Sequence, residues 1–244
     1  MSKRYSNKGF AQRQAAAQQP KKDNSALIMA LISVGISLLV VLGAGIAIFA
    51  SGGGFAVKVD MEEVKSEIDS FEVSDFAETD DVTNYVKITV EKHGDIVLRL
   101  RPDIAPETVK NFQDLVKSGH YDGKTFHRVV QNFMIQGGGF DESGIEASTP
   151  KIMGEFTANG FHNNLKHVRG VISMARLNGA NNSATCQFFI CDATSAHLDD
   201  NYASFGYVLA GMDTVDSIAA VKTLEEKPIL TVKIEKVVFV DPLK

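Results

Sequence analysis

The chain has 244 residues, 44% of them hydrophobic, with 30 acidic and 25 basic side chains and a formal net charge of −5. That length exceeds a typical domain of about 100 to 150 residues, so an appended segment is expected beside one sizeable core. The acidic balance excludes the footprint of a nucleic-acid binder, and the two cysteines exclude a disulfide framework or a metal site made from cysteine pairs.

Residues 1–25 carry Lys3, Arg4, Lys8, Arg13, Lys21 and Lys22 against Asp23 alone, which the positive-inside rule places on the cytoplasmic side. Within this tail the Gln/Ala-rich run from Ala11 to Gln19 reads as disordered. Residues 26–50 contain no charge and, at about 1.5 Å per helical residue, are long enough to cross a hydrocarbon core of roughly 30 Å. They are predicted to be a transmembrane anchor. A cleaved signal peptide is the rival reading, but its apolar region would be only about 7 to 15 residues long. The remainder of the chain is then expected on the extracytoplasmic side.

Residues 51–82 open with Ser51-Gly-Gly-Gly54 and carry ten acidic residues against Lys58 and Lys65, which predicts a spacer extended by self-repulsion. Within it, Asp60 and Glu63 are placed as a capping box for a short helix through Ile68, and Phe71 and Phe76 are candidates to dock on the domain. Residues 83–244 form that domain, and with the spacer's acids set aside it is close to neutral.

Val86–Val90 and Ile96–Leu100 flank Lys92-His-Gly-Asp95, a hairpin signature. Pro106–Lys117 places Val109, Phe112 and Val116 at helical spacing, with Pro in the first turn and Gly119 past the end. Met212–Val221 reads as a second short helix and Leu230–Val240 as a closing strand. Two helices among loop-joined strands fit a closed β architecture better than a parallel α/β sheet. Gly137-Gly-Gly139 has neither phosphate-loop nor dinucleotide spacing and reads as backbone geometry at the edge of a groove. His162 and His167 lie five apart without a helical metal-binding frame. Cys186 falls on the predicted core face and reads as an inert thiol. Five residues of strand set it about 16 Å from Cys191, whereas a disulfide needs Cα atoms within about 7 Å.

The most informative stretch is Thr125–Phe140 with its echo Ser183–Cys191. In extended chain Met134 and Gln136 share one face, as do Gln187 and Phe189, while Phe188 and Ile190 point to the other. Each strand thus has an apolar face for a core and a mixed face of amides and large apolar groups near Arg128, the composition of a shallow binding groove. Phe126-His-Arg-Val-Val with Phe133-Met-Ile-Gln-Gly-Gly, then Gly170-Val-Ile-Ser-Met-Ala175 and Gln187-Phe-Phe-Ile190, resembles the cyclophilin family of peptidyl-prolyl cis-trans isomerases, in a bacterial-like, membrane-anchored form. The resemblance runs from about Asn84 to the C-terminus. It implies a mainly β fold, a closed eight-stranded antiparallel barrel with two capping helices, here preceded by the transmembrane helix.

The resemblance further implies that Arg128 is catalytic. It assigns Phe133, Met134, Phe189 and Leu198 to a proline pocket, and Gln136, Gln187 and the backbone at Ala175 to holding the peptide. Read alone, the four apolar residues could equally be core, and Arg128 could be a surface arginine paired with a carboxylate. Departures from the common pattern are local: Arg176 stands for an asparagine, the loop from Leu177 to Thr185 is longer by two, His197 stands for a tryptophan and Tyr202 for a histidine. His197 lacks the indole donor and argues against tight cyclosporin binding. Rotation about an X-Pro bond cleaves nothing, so no nucleophile, metal or cofactor is called for. The expected partners are proline-containing polypeptides, whose folding the enzyme would assist. The competing class is a membrane-tethered chaperone or proline-peptide-binding module with little turnover.

Overall fold

The computed structural model describes residues 48–49 and 56–243. The basic tail and nearly all of the predicted anchor lie outside the described residues. Ile48–Phe49, at the end of that apolar run, and Ala56–Val57 are two-residue strands. Among the described residues no helix is long and apolar enough to cross a membrane.

The chain then forms α1 (Met61–Glu67), β1 (Phe76–Glu78), β2 (Tyr85–Val90), β3 (Gly94–Leu100), α2 (Pro106–Lys117), β4 (Lys124–Val130) and β5 (Met134–Asp141). It continues through β6 (Val171–Met174), β7 (Phe188–Cys191), β8 (Ser204–Ala210), α3 (Met212–Ala219), the two-residue strands β9 (Thr223–Leu224) and β10 (Lys227–Pro228), and β11 (Ile234–Pro242). One antiparallel sheet of nine strands has the order β1-β11-β2-β3-β8-β6-β7-β5-β4. Its far edge curls back to the chain leading into β11. There Thr125 bridges Lys233, Phe126 N–H donates to Val232 O at 2.9 Å, and Gly123 N–H donates to Ile234 O at 2.9 Å.

Alternation sets the inner face. Val86, Ile88 and Val90 of β2 are buried while Tyr85, Lys87 and Thr89 are only partly so, as a strand with one core-facing side requires. Val109, Phe112 and Val116 of α2 and Met212, Val215 and Ile218 of α3 enter the same core. Phe112 anchors an aromatic cluster, 5.1 Å from Tyr121, 5.2 Å from Phe205 and 5.8 Å edge-on from Phe188 between ring centroids. The N-cap position of α2 is Ala105, which has no side-chain acceptor. The buried Glu155 replaces it from a distant loop, accepting from Thr108 N–H at 2.8 Å and Glu107 N–H at 3.2 Å.

Two expectations are corrected. The sequence reading sets residues 51–82 apart as an extended spacer, yet from Val57 onward this segment is built onto the domain. Val59 and Val64 pack on Ile104, Leu165, Val171, Tyr207 and Leu209 in a second core outside the sheet. Phe71 and Phe76 dock on the domain as expected: Phe71 N–H donates to Leu209 O, Phe76 meets Phe71 edge-on and lies tilted against Tyr85, and β1 pairs along β11 as a ninth strand. Several of its acids are engaged by the fold, which offsets their mutual repulsion. Asp60 caps α1, Asp69 caps the Met212 N–H, Glu67 meets Arg99, and Glu78 lies between Lys87 and Lys236. The sequence reading assigns no element to β8. All seven of its residues are buried, with Phe205 and Val208 facing the inner core and Tyr207 and Leu209 the outer one. The second correction is the closing strand, which starts at Ile234 rather than Leu230, the latter being 81% exposed.

Candidate active site

Strand register builds the site. Arg128 of β4 is opposite Gln136 of β5, Gln136 is opposite Phe189 of β7, and Phe189 is opposite Ser173 of β6, so one row crosses four strands. A second row pairs Val130 with Met134 and Met134 with Cys191. Met134, Phe189, Cys191 and Leu198 form a buried apolar cluster apart from the main core, and Val130, Phe133, Ala175 and Tyr202 close over it while partly exposed. This brings together the four predicted pocket residues and adds Val130 and Cys191. Both strand-face expectations hold, since Phe188 and Ile190 lie in the inner core.

The pocket walls are held from behind. The His167 ring is buried and stacks on Phe189 at 6.0 Å and 18°. Its Nδ1 lies 3.0 Å from Asp199 Oδ1 and its Nε2 lies 3.2 Å from Ser173 Oγ, so both nitrogens have partners within the fold. Burial lowers its pKa from the ordinary imidazole value, against the opposing pull of Asp199. Tyr202 meets Phe189 edge-on at 5.8 Å, and His197 lies exposed with its ring 5.2 Å from Phe133. The Arg176 guanidinium sits 4.7 Å from the Tyr202 ring centre and 5.2 Å from that of Phe156, and donates to Asn201 O and Leu177 O. It thus braces the rim as a cation stacked on two rings. Cys191, under the pocket floor, is a free thiol whose pKa burial pushes up to about 12, which makes it inert.

The polar side of the groove is a chain of hydrogen bonds. Arg128 Nε donates to Glu226 Oε2 at 2.6 Å, and Arg128 Nη1 donates to Gln136 Oε1 at 3.4 Å. Gln136 Nε2 donates to Gln187 Oε1 at 2.9 Å, and Gln187 Nε2 donates to Glu146 Oε1 at 3.0 Å. A guanidinium only donates, so it fixes the orientation of both amides in turn. Gly139 permits this: a Cβ there would run into Gln187 Cγ and Cδ. Gly138, at φ +87°, would bring a Cβ within 2.8 Å of Tyr121 and is closed to other residues on both counts. The Ala175 N–H already donates to Gln187 O at 2.9 Å and is therefore engaged within the sheet.

Sequence reasoning misses Glu226, Glu146 and Phe156. All three come from loops or short hairpins distant in sequence, and no periodicity points to them.

Fold and site together define a mainly β antiparallel barrel-like protein with an arginine-flanked apolar groove on its outer face. Residues 85–239 match the family described as cyclophilin type peptidyl-prolyl cis-trans isomerase/CLD, and the chain belongs to that family. It is a peptidyl-prolyl cis-trans isomerase. The chain is 45% identical over 139 residues to peptidyl-prolyl cis-trans isomerase B of Escherichia coli (strain K12), covering 54% of this chain and 82% of that one. It is 42% identical over 152 residues to peptidyl-prolyl cis-trans isomerase A of Dickeya dadantii (strain 3937), covering 60% and 77%. A Cryptosporidium parvum cyclophilin type isomerase, solved in the presence of the dipeptide Ala-Pro, superposes with TM-score 0.55 at 28% identity over 64% of this chain and 98% of that one. Cyclophilin AquaCyp293 from Hirschia baltica gives TM-score 0.55 at 26% identity over 75% and 81%. The family match begins at residue 85, so α1 and β1 precede it.

Proposed function

We propose that Arg128 is the catalytic residue of this isomerase and that the pocket of Phe133, Met134, Phe189 and Leu198 receives the proline ring. The observation that carries this is the row Arg128–Gln136–Phe189, which sets a guanidinium and an oriented amide beside an apolar wall on three neighbouring strands. Rotation about X-Pro faces a barrier of about 18 to 20 kcal/mol because amide resonance must be broken. As the bond twists, the prolyl nitrogen regains a lone pair, and the Arg128 terminal nitrogens donate to it. That interaction is absent in the planar ground state, so it lowers the barrier rather than merely binding substrate. Gln136, Gln187 and the backbone at Ala175 hold the flanking peptide plane, and Arg176, His197 and Tyr202 form the rim.

The test is Arg128→Ala. Isomerisation of a short prolyl peptide should fall by about 10² to 10³, roughly 3 to 4 kcal/mol, while peptide affinity and cooperative melting persist. Full retention of the rate would remove Arg128 from catalysis.

The clients are proposed to be proline-containing segments of extracytoplasmic proteins, with the enzyme held at the membrane by residues 26–50. The basic residues of the tail and the charge-free run after it support this reading. Protease added to intact cells should then digest the domain after residue 51 and spare the tail. A protected domain would overturn the orientation.

A further inference from the structure

Arg128 is gripped from outside the sheet by a turn whose residues are chosen against the turn's own preference. β9 and β10 pair as Thr223 with Pro228 and Leu224 with Lys227, leaving Glu225 and Glu226 as a two-residue loop. Both have positive φ, 50° and 66°, as a type I′ turn requires. Asn-Gly, Asp-Gly or Gly-Gly meets that requirement without strain, whereas two glutamates place a Cβ in the left-handed region twice in succession. The turn is nonetheless fixed in place. Glu226 O accepts from Val129 N–H at 2.7 Å, which ties the loop to β4 beside Arg128, and Glu226 Oε2 accepts from Arg128 Nε at 2.6 Å.

The edge of the guanidinium that Glu226 holds matters. It takes the Nε edge, while Nη1 is directed over the groove floor, 3.4 Å from Gln136 Oε1 and 3.9 Å from Met134 Sδ. The grip therefore orients the terminal nitrogens toward the pocket and does not withhold them. Leu224, Ile229 and Leu230 around the turn are 72%, 63% and 81% exposed, so of the hairpin strands only Pro228 is buried, and the contacts at Glu226 itself are the hydrogen bonds to Val129 and Arg128.

We propose that Glu226 is a positioning residue for the isomerase, holding Arg128 in its productive rotamer, and that the strained Glu225-Glu226 turn is retained for that purpose. This rests on the assignment of Arg128 as catalytic. Glu226 and Arg128 are 51% and 38% exposed, so solvent and salt screen the pair and the effect is modest.

The experiment compares Glu226→Gly, Glu226→Gln and the control Glu225→Asn by prolyl-peptide isomerisation at low and high salt and by thermal melting. Glu226→Gly supplies the residue the turn prefers, so its melting temperature should hold or rise by about 2 to 4 °C. Its kcat should nevertheless fall about two- to fivefold with KM unchanged. Glu226→Gln should show a smaller loss and a weaker salt dependence than the parent. Glu225→Asn should melt no lower and turn over normally. In an Arg128→Ala background the Glu226 changes should have no further effect.

Unchanged kcat in both Glu226 variants, while Arg128→Ala is impaired, would overturn the positioning role alone. A rise in kcat would do so too, by marking the pair as an inhibitory latch. Full activity of Arg128→Ala would overturn the catalytic assignment and this inference with it.

Discussion

The Tyr207 hydroxyl, on the outer side of β8, donates to Glu67 Oε2 at 2.5 Å across 140 residues of sequence. The same oxygen accepts from Arg99 Nη1 at 2.5 Å, so one carboxylate at the end of α1 ties the N-terminal layer to β3 and β8. Beneath it Val64, 1% exposed, seals Tyr207, Leu209 and Val171.

That layer is expected to contribute to stability although it precedes the family match. Val64→Ala removes two buried methyl groups and should cost about 2 kcal/mol, and Tyr207→Phe about 1.5 kcal/mol because Glu67 keeps Arg99. A chain shortened to residues 83–244 should melt well below one covering residues 56–244 and should bind a hydrophobic dye at its bared outer core. Equal melting temperatures for the two lengths would show that the layer is only draped on the sheet.

Stability should decline on mild acidification. Burial lowers the pKa of His167, and of His93, His120 and His127, below the ordinary value of 6.5. Between the lowered native value and 6.5 the unfolded chain binds more protons than the folded one, so each group's contribution is complete above about pH 6.5 and is lost as pH falls below it. Within that window one histidine contributes a slope of at most about 1.4 kcal/mol per pH unit. Denaturant melts between pH 7.5 and 5 should show the decline, and His167→Gln should flatten part of it. An unchanged slope in that variant would assign the effect to the other three. Because His167 backs Phe189, catalytic efficiency should fall over the same range.

The rim position of His197 makes an inhibitor prediction. Its ring is exposed on the turn Ala196–Leu198 and rests on Phe133, so an indole can be accommodated there without repacking the core. His197→Trp should tighten cyclosporin inhibition by about 0.5 to 1.5 kcal/mol, the contribution of one regained hydrogen bond. Inhibition that does not change would direct attention to Arg176 and the loop after it.

Local pattern made much of this protein legible before any fold was known. Pro106–Lys117 is the helix its spacing predicts, β2 to β5 lie where alternation places them, and the faces of Met134, Gln136, Phe188 and Phe189 follow from the two-residue period of a strand. Other features depend on contacts between segments far apart in sequence. Val57–Glu78 reads as an acidic spacer because charge is visible in a sequence and its partners are not. Arg99, Lys87 and Lys236, which engage Glu67 and Glu78, come from the sheet. The continuous apolar run of β8 is the mark of a strand covered on both faces, but what covers the outer face is known only once α1 has packed there. Arg128 stands out in its motif, whereas Glu226, 98 residues further on, becomes its partner only when barrel closure brings the turn beside β4. Periodicity is a property of a few consecutive residues, and pairing between distant ones is a property of the closed sheet.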